Sequence, residues 1–157
     1  MITLGWNCRG LRNPRTVRVL CDFMQCWNPT IVFLAETKLN KKEVEKRRRS
    51  ISHLNCLFVP SKGQSGGLAM IWKKDIKLDI VTYGPHHTDA IVTETNSGFR
   101  WRITSFYGHL DTHKRNDSWK LLTFLHHQFQ LPWLCLRDFN EIISMEEKRG
   151  GVQRSQH

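Results

Sequence analysis

The sequence predicts an α/β (α+β) domain, and three observations carry that expectation. Strand-like and helix-like stretches alternate from residue 2 to residue 49. Short strand patterns then follow one another between residues 57 and 107, and a helix–strand pair closes the pattern at Asp138.

Residues 2–6 read as a short strand ending at Asn7. Asn13 then offers a helix N-cap, and Pro14 presets the first helical residue. Val17, Leu20, Cys21, Met24 and Trp27 recur at three- and four-residue spacing, so one face of this helix is expected to be apolar. Asn28-Pro29 ends it. Residues 31–35 form a continuous apolar run between turn signals, the pattern of a strand buried on both faces, and Glu36 follows at its end. Residues 41–49 are a charge run with Glu43/Arg47 and Glu45/Arg49 at i,i+4 spacing. This is a solvated helix face or, in the sharper reading, a phosphate-contacting patch.

From there the pattern becomes that of short strands, at 57–59, 68–72, 76–83, 90–94 and 99–107. A glycine-containing loop, 61–67, separates the first two, and Asn96-Ser97-Gly98 is a hairpin turn between the last two. Asp117 is expected to cap a helix with Leu121, Leu122, Leu125 and Phe129 on its core side, stopped by Pro132. Residues 133–136 read as another buried strand running to Asp138. No internal repeat, linker or low-complexity segment interrupts the chain.

A chain of 157 residues is one ordinary domain, able to bury about two-thirds of its unfolded surface. Its 39% hydrophobic and 24% charged content excludes disorder as the default. The net charge of +10 points to a polyanionic partner, because a positive field attracts phosphate chains. A basic protein with no nucleic-acid role remains the plainer alternative. Five cysteines without a C-x-x-C pair argue against both a zinc site and a disulfide framework. They are expected to be buried, reduced thiols in an intracellular compartment. The first residues lead straight into a polar segment, so no signal peptide is expected, and no apolar run is long enough to span a bilayer.

Glu36 and Asp138 each follow a strand expected to be buried, where rigid backbone can hold polar side chains at a common rim. Phosphodiester cleavage needs neutralised phosphate charge, an activated water and a stabilised leaving oxygen. Glu36 is the best candidate ligand for Mg²⁺ or Mn²⁺, which prefer hard oxygen donors and take one or two carboxylates. Asn7 is the second candidate, able to orient that carboxylate and ligate the metal or to donate to a phosphate oxygen. Alternation along an extended chain puts Asp138 and Asn140 on one side. Each residue also has a plainer reading. A carboxylate at a strand end can be solvated, Asp-x-Asn is a common turn pair, Asn7 can shape a turn beside Gly10, and Tyr107 can be a packed aromatic.

Four segments in fixed order go further: Trp6-Asn7-Cys8-Arg9-Gly10, Leu34-Ala35-Glu36-Thr37-Lys38, Phe106-Tyr107-Gly108-His109 and Asp138-Phe139-Asn140-Glu141. Together they resemble the endonuclease/exonuclease/phosphatase family, most closely the endonuclease domain of plant LINE-type retrotransposons. Gly66-Gly67-Leu68-Ala69-Met70-Ile71-Trp72, residues 115–119 and Pro132-Trp133-Leu134-Cys135 are similar to those elements too. The resemblance implies two packed mixed β-sheets flanked by helices. It implies a metal-ligand role for Glu36, with Asn7 beside it. It also implies that Asp138 orients or activates the attacking water, that Asn140 holds the phosphoryl group and that Tyr107 donates to the phosphate. The substrate implied is DNA, met through its phosphate backbone, and the place of action the nucleus.

Two departures stand against the family pattern. Arg137 occupies a position where the family usually has glycine; its long side chain can crowd the site or add a phosphate contact, and impaired catalysis is the expectation. The family's later strands and terminal Ser-Asp-His segment find no counterpart after Asn140, so one partial domain, 1–157, is expected. Active DNA nicking, a catalytically dead remnant that still binds nucleic acid, and a phosphomonoesterase of the same fold are the readings left open.

Overall fold

The structure, a computed structural model, describes residues 1–51, 54–63, 65–108 and 112–138. Strands β1 (Thr3–Asn7) and β2 (Ile31–Ala35) alternate with helices α1 (Pro14–Trp27) and α2 (Lys41–Ser50). Five strands follow: β3 (Asn55–Val59), β4 (Leu68–Trp72), β5 (Lys77–Gly84), β6 (His87–Thr93) and β7 (Arg100–Tyr107). A single 3-10 turn (Thr112–Lys114), helix α3 (Arg115–His126) and strand β8 (Trp133–Asp138) complete the described elements. The element order is the expected one, with several strand ends displaced by a few residues.

The strands make two four-stranded sheets, ordered β1-β2-β4-β3 and β5-β6-β7-β8. Both are mixed: β1/β2 and β7/β8 run parallel and the remaining pairs antiparallel. Strand β2 explains why the sheets stack. All five of its residues are buried, and period-two alternation sends them to two different cores. Val32 and Leu34 join Leu20 and Met24 of α1 and Val44 of α2 on one face. Ile31 meets Met70, Val92 and Ile103 on the other, where Phe33 and Ala35 pack with Tyr107. The second sheet's outer face carries α3, tied down by buried Arg102, which bonds both Asp89 oxygens and the Leu125 carbonyl. The layers are therefore helices, sheet, sheet and helix.

Local chemistry sets the ends of these elements. Asn13 accepts from the Arg15 amide at 2.9 Å at the start of α1, and Asn28 closes the helix in the left-handed region. Asn40 and Glu43 form a reciprocal capping box at the start of α2. Accepting the Asn40 amide, with Arg12 alongside, holds the Glu43 carboxyl below its ordinary range. At the β6–β7 turn the Gly98 amide donates to the Glu94 carbonyl at 2.9 Å, with Gly98 at φ 67°.

Several expectations are corrected. On α1, Cys21 and Trp27 are exposed, and Phe23 meets the Trp6 ring edge-on at 5.3 Å. A helix lying on one sheet buries a single stripe, so Cys21, about 100° round the axis from Leu20, falls outside it. The cysteines are not a set of buried thiols: Cys8 alone is buried, Cys21 and Cys26 are exposed, and Cys56 and Cys135 lie between, all five free. Along α2 the i,i+4 pairs give way to a cross-segment pair, Arg12–Glu43, and an i,i+3 pair, Glu45–Arg48. Arg47 instead donates to the Leu11 carbonyl at 2.8 Å, because that acceptor sits beside the helix. Asp117 lies within the first turn of α3 rather than capping it, and Phe129 falls beyond the helix end, its ring 5.1 Å from the Arg102 guanidinium. Strand β8 is only partly buried, with Leu134 at 40% exposure, because among the described residues it is the edge of its sheet.

Candidate active site

The parallel pairs of the two sheets end at one rim. Register places Asn7 opposite Ala35 at the end of β1/β2, and Tyr107 opposite Asp138 at the end of β7/β8. The two ends meet where Gly5 of β1 lies against Leu136 of β8, at a spacing that would leave even a Cβ on Gly5 in ordinary contact, 3.6 Å from the Leu136 side chain. Carboxyl ends of strands are where a rigid scaffold can aim polar groups at a ligand.

Four of the sequence-predicted residues meet at this rim. The Asn7 amide nitrogen donates to Glu36 Oε1 at 3.2 Å and to Asp138 Oδ2 at 2.9 Å, one N–H to each carboxylate. The Tyr107 hydroxyl donates to Glu36 Oε1 at 2.6 Å. Asn7 is itself oriented by the Arg9 amide, which donates to its Oδ1 at 3.3 Å. Asn140, the fifth residue expected here, lies outside the described residues, as do the Arg137 side chain, His109 and everything from Phe139 onward.

The backbone around Glu36 is unusual. Glu36 (φ 53°), Lys38 (φ 55°) and Arg9 (φ 50°) all occupy the left-handed region, which costs a residue with a side chain about 1–2 kcal/mol. Such strain persists only where surrounding contacts impose it. Here they are dense. Cys8 and Leu11 donate backbone bonds to the Ala35 and Thr37 carbonyls, while Thr37 and Lys38 donate to Gly67 and Gly66. Gly67 permits this approach, since a Cβ on it would lie 2.6 Å from Thr37 Oγ1. The Cys8 thiol, 3.2 Å from the Ala35 carbonyl, is pushed up by burial and is inert packing beneath the site.

Two participants were not singled out from the sequence. Lys38 brings its ammonium to 3.8 Å from Glu36 Oε2, and it stands in the same quoted segment as Glu36. His86 holds Tyr107 from both sides: its carbonyl accepts the Tyr107 amide at 2.8 Å, and its Nδ1 is 3.1 Å from the Tyr107 carbonyl. Nothing local marks His86, because its partner is brought in by the pairing of β6 with β7.

The donor set suits a hard cation. Glu36 and Asp138 are drawn to the same amide nitrogen, and two carboxylates so placed repel each other unless positive charge lies between them. With the Asn7 carbonyl they offer oxygen donors only, and one or two carboxylates are what Mg²⁺ usually takes from a protein. Among the described residues no cluster of three His, Cys, Asp or Glu side chains offers an alternative metal centre. No helix among them is long and apolar enough to cross a membrane.

The family model for the Endonuclease/Exonuclease/phosphatase family matches residues 4–151. Solved structures with the same fold include the human Nocturnin catalytic domain with bound sulfate (13% identity, TM-score 0.64), with 87% of this chain and 62% of that one covered. D. rerio TDP2 complexed with a single-stranded DNA product gives 17% identity and a TM-score of 0.62 over 88% of this chain and 60% of that one. The 3′ phosphatase NExo from Neisseria, bound to a product DNA hairpin, gives 17% and 0.59 over 87% and 57%. This chain thus spans about three-fifths of their length. At these identities the likeness is one of fold. No curated protein matches.

Proposed function

The chain belongs to the endonuclease/exonuclease/phosphatase family, and from that membership we propose that it hydrolyses phosphodiester bonds in DNA with a divalent cation. The observation that carries the reading is the single network joining Asn7, Glu36, Tyr107 and Asp138 across the rims of two sheets. Sequence segments typical of plant LINE-type endonucleases support descent from a nuclear DNA-nicking enzyme of that kind.

Mg²⁺ or Mn²⁺ held by Glu36 with Asn7 would supply charge neutralisation for the phosphate and for the developing oxyanion. The chain's own residues do the rest. Asn7 fixes both carboxylates through its two N–H groups. The Tyr107 hydroxyl turns from Glu36 to a phosphate oxygen as substrate enters. Asp138 orients water and takes its proton while the water oxygen bonds to phosphorus and the bond to the leaving oxygen breaks. Asn140 is assigned to the phosphoryl oxygens on the resemblance alone. Lys38, 3.8 Å from Glu36 Oε2, adds positive charge where phosphate arrives.

The arginine at position 137, in place of the family's usual glycine, favours a second reading: a domain that binds nucleic acid without turnover. Supercoiled-plasmid nicking with Mg²⁺ or EDTA, beside Glu36→Ala, separates the two. Metal-dependent nicking abolished by the substitution is the expected result. Salt-sensitive DNA binding by a folded protein, with no nicking, overturns hydrolysis in favour of binding alone.

A further inference from the structure

We propose that the groove between α2, β3 and β5 is a second nucleic-acid subsite, holding the single-stranded segment that flanks the phosphate at Glu36. The inference rests on the phosphodiesterase reading and gives the neighbouring nucleotides a place.

The groove encloses about 480 Å³. Its floor is apolar, with Val44 of α2 buried beneath Phe58 and Pro60 at the end of β3. Its walls are of another kind. Lys41 and Arg48 stand seven residues apart, two turns along one face of α2, and Tyr83 of β5 faces them with 60% of its surface exposed. An exposed ring beside two cations over an apolar floor is the composition of a stacking platform with phosphate contacts. Glu45 is the one carboxylate in the lining, and it pairs with Arg48 at 3.5 Å while both side chains stay more than half exposed. Such a solvated pair is weak, so a phosphate can displace it.

Position ties the groove to the active site. Strands β3 and β2 point the same way, since each runs antiparallel to β4 between them. Val59 lies in line with Leu68 and Ala35, so Pro60 stands level with Glu36, two strands or about 10 Å away. In the other sheet β5 and β7 also agree in direction, and Tyr83, Thr88 and Ser105 share one line just below Tyr107. Groove and site therefore open at the same rim. A strand with one phosphate at Glu36 reaches Tyr83 through its adjoining nucleotides, whereas a compact diester at Glu36 does not.

Fluorescence anisotropy of an oligothymidylate in EDTA tests this, read beside hydrolysis of the small diester bis(p-nitrophenyl) phosphate in Mg²⁺. Lys41→Glu with Arg48→Glu, and separately Tyr83→Ala, should each weaken oligonucleotide binding about tenfold or more. Hydrolysis of the small diester should stay at the unsubstituted level. Glu45→Gln should tighten oligonucleotide binding several-fold, a gain that misfolding cannot imitate. Wild-type oligonucleotide affinity in the groove variants overturns the subsite, and so does a parallel loss of both readouts. Groove-dependent binding without small-diester hydrolysis leaves the subsite standing and overturns only the hydrolytic reading.

Discussion

The Tyr107 hydroxyl lies 2.6 Å from Oε1 of Glu36, the same oxygen that the Asn7 amide addresses. This bond joins the last residue of a strand in one sheet to the first residue past a strand in the other. It also gives the most direct test of the site. Tyr107→Phe keeps the buried ring and removes one hydrogen bond, so stability should fall by about 1 kcal/mol in urea unfolding. Plasmid nicking should fall about a hundredfold, as when a donor to developing charge is removed.

Glu36 sits at φ 53°, where only glycine is unstrained. Glu36→Gly and Glu36→Ala both remove the carboxylate and should both abolish nicking. The glycine variant should be more stable than the alanine variant by about 1 kcal/mol, because it alone relieves the left-handed backbone. Thermal unfolding of the pair checks this, and equal midpoints would count against strain at position 36. Both variants should also lose any rise in Tm that Mg²⁺ gives the unsubstituted protein.

Gly67→Ala is expected to cost about 2 kcal/mol or more. Its φ of 82° is unfavourable to a side chain, and the new Cβ would press on Thr37 Oγ1. Since Thr37 and Lys38 bond to Gly67 and Gly66, the displacement should reach Glu36, and nicking should drop further than the folded fraction does.

Arg102 and Asp89 are 1% and 0% exposed in their side chains and form a bidentate pair. Removing one partner strands a buried charge. Arg102→Met should therefore destabilise the domain by about 3–5 kcal/mol, read as a lowered urea midpoint with unchanged slope.

Stability should fall on mild acidification. Burial pushes the His87 imidazole below its ordinary range, outweighing the nearby Asp89 carboxylate. The folded protein therefore resists a proton that the unfolded chain accepts. The loss begins as pH falls through the unfolded value of about 6.5 and continues to the lowered native value. Tm measured from about pH 7.5 down to 5 should decline, and His87→Gln should flatten the decline.

The element order, the Asn13 cap, the β6–β7 turn and the strands at whose ends Asn7, Glu36 and Asp138 stand were legible in the chain alone. Those features depend on neighbours in the chain. Asn13-Pro14 starts a helix, Asn96-Ser97-Gly98 turns a hairpin, and a five-residue apolar run must be covered on both faces. Tertiary packing sets which strand ends share a rim, because the bond between Asn7 and Asp138 spans 131 residues and depends on how two sheets stack. It likewise decided that Cys21 and Trp27 stay in solvent, that Glu43 answers Arg12 instead of Arg47, and that Arg102 lies buried with Asp89. Burial and pairing at these positions are set by what packs against them across the fold, and local spacing carries no record of that.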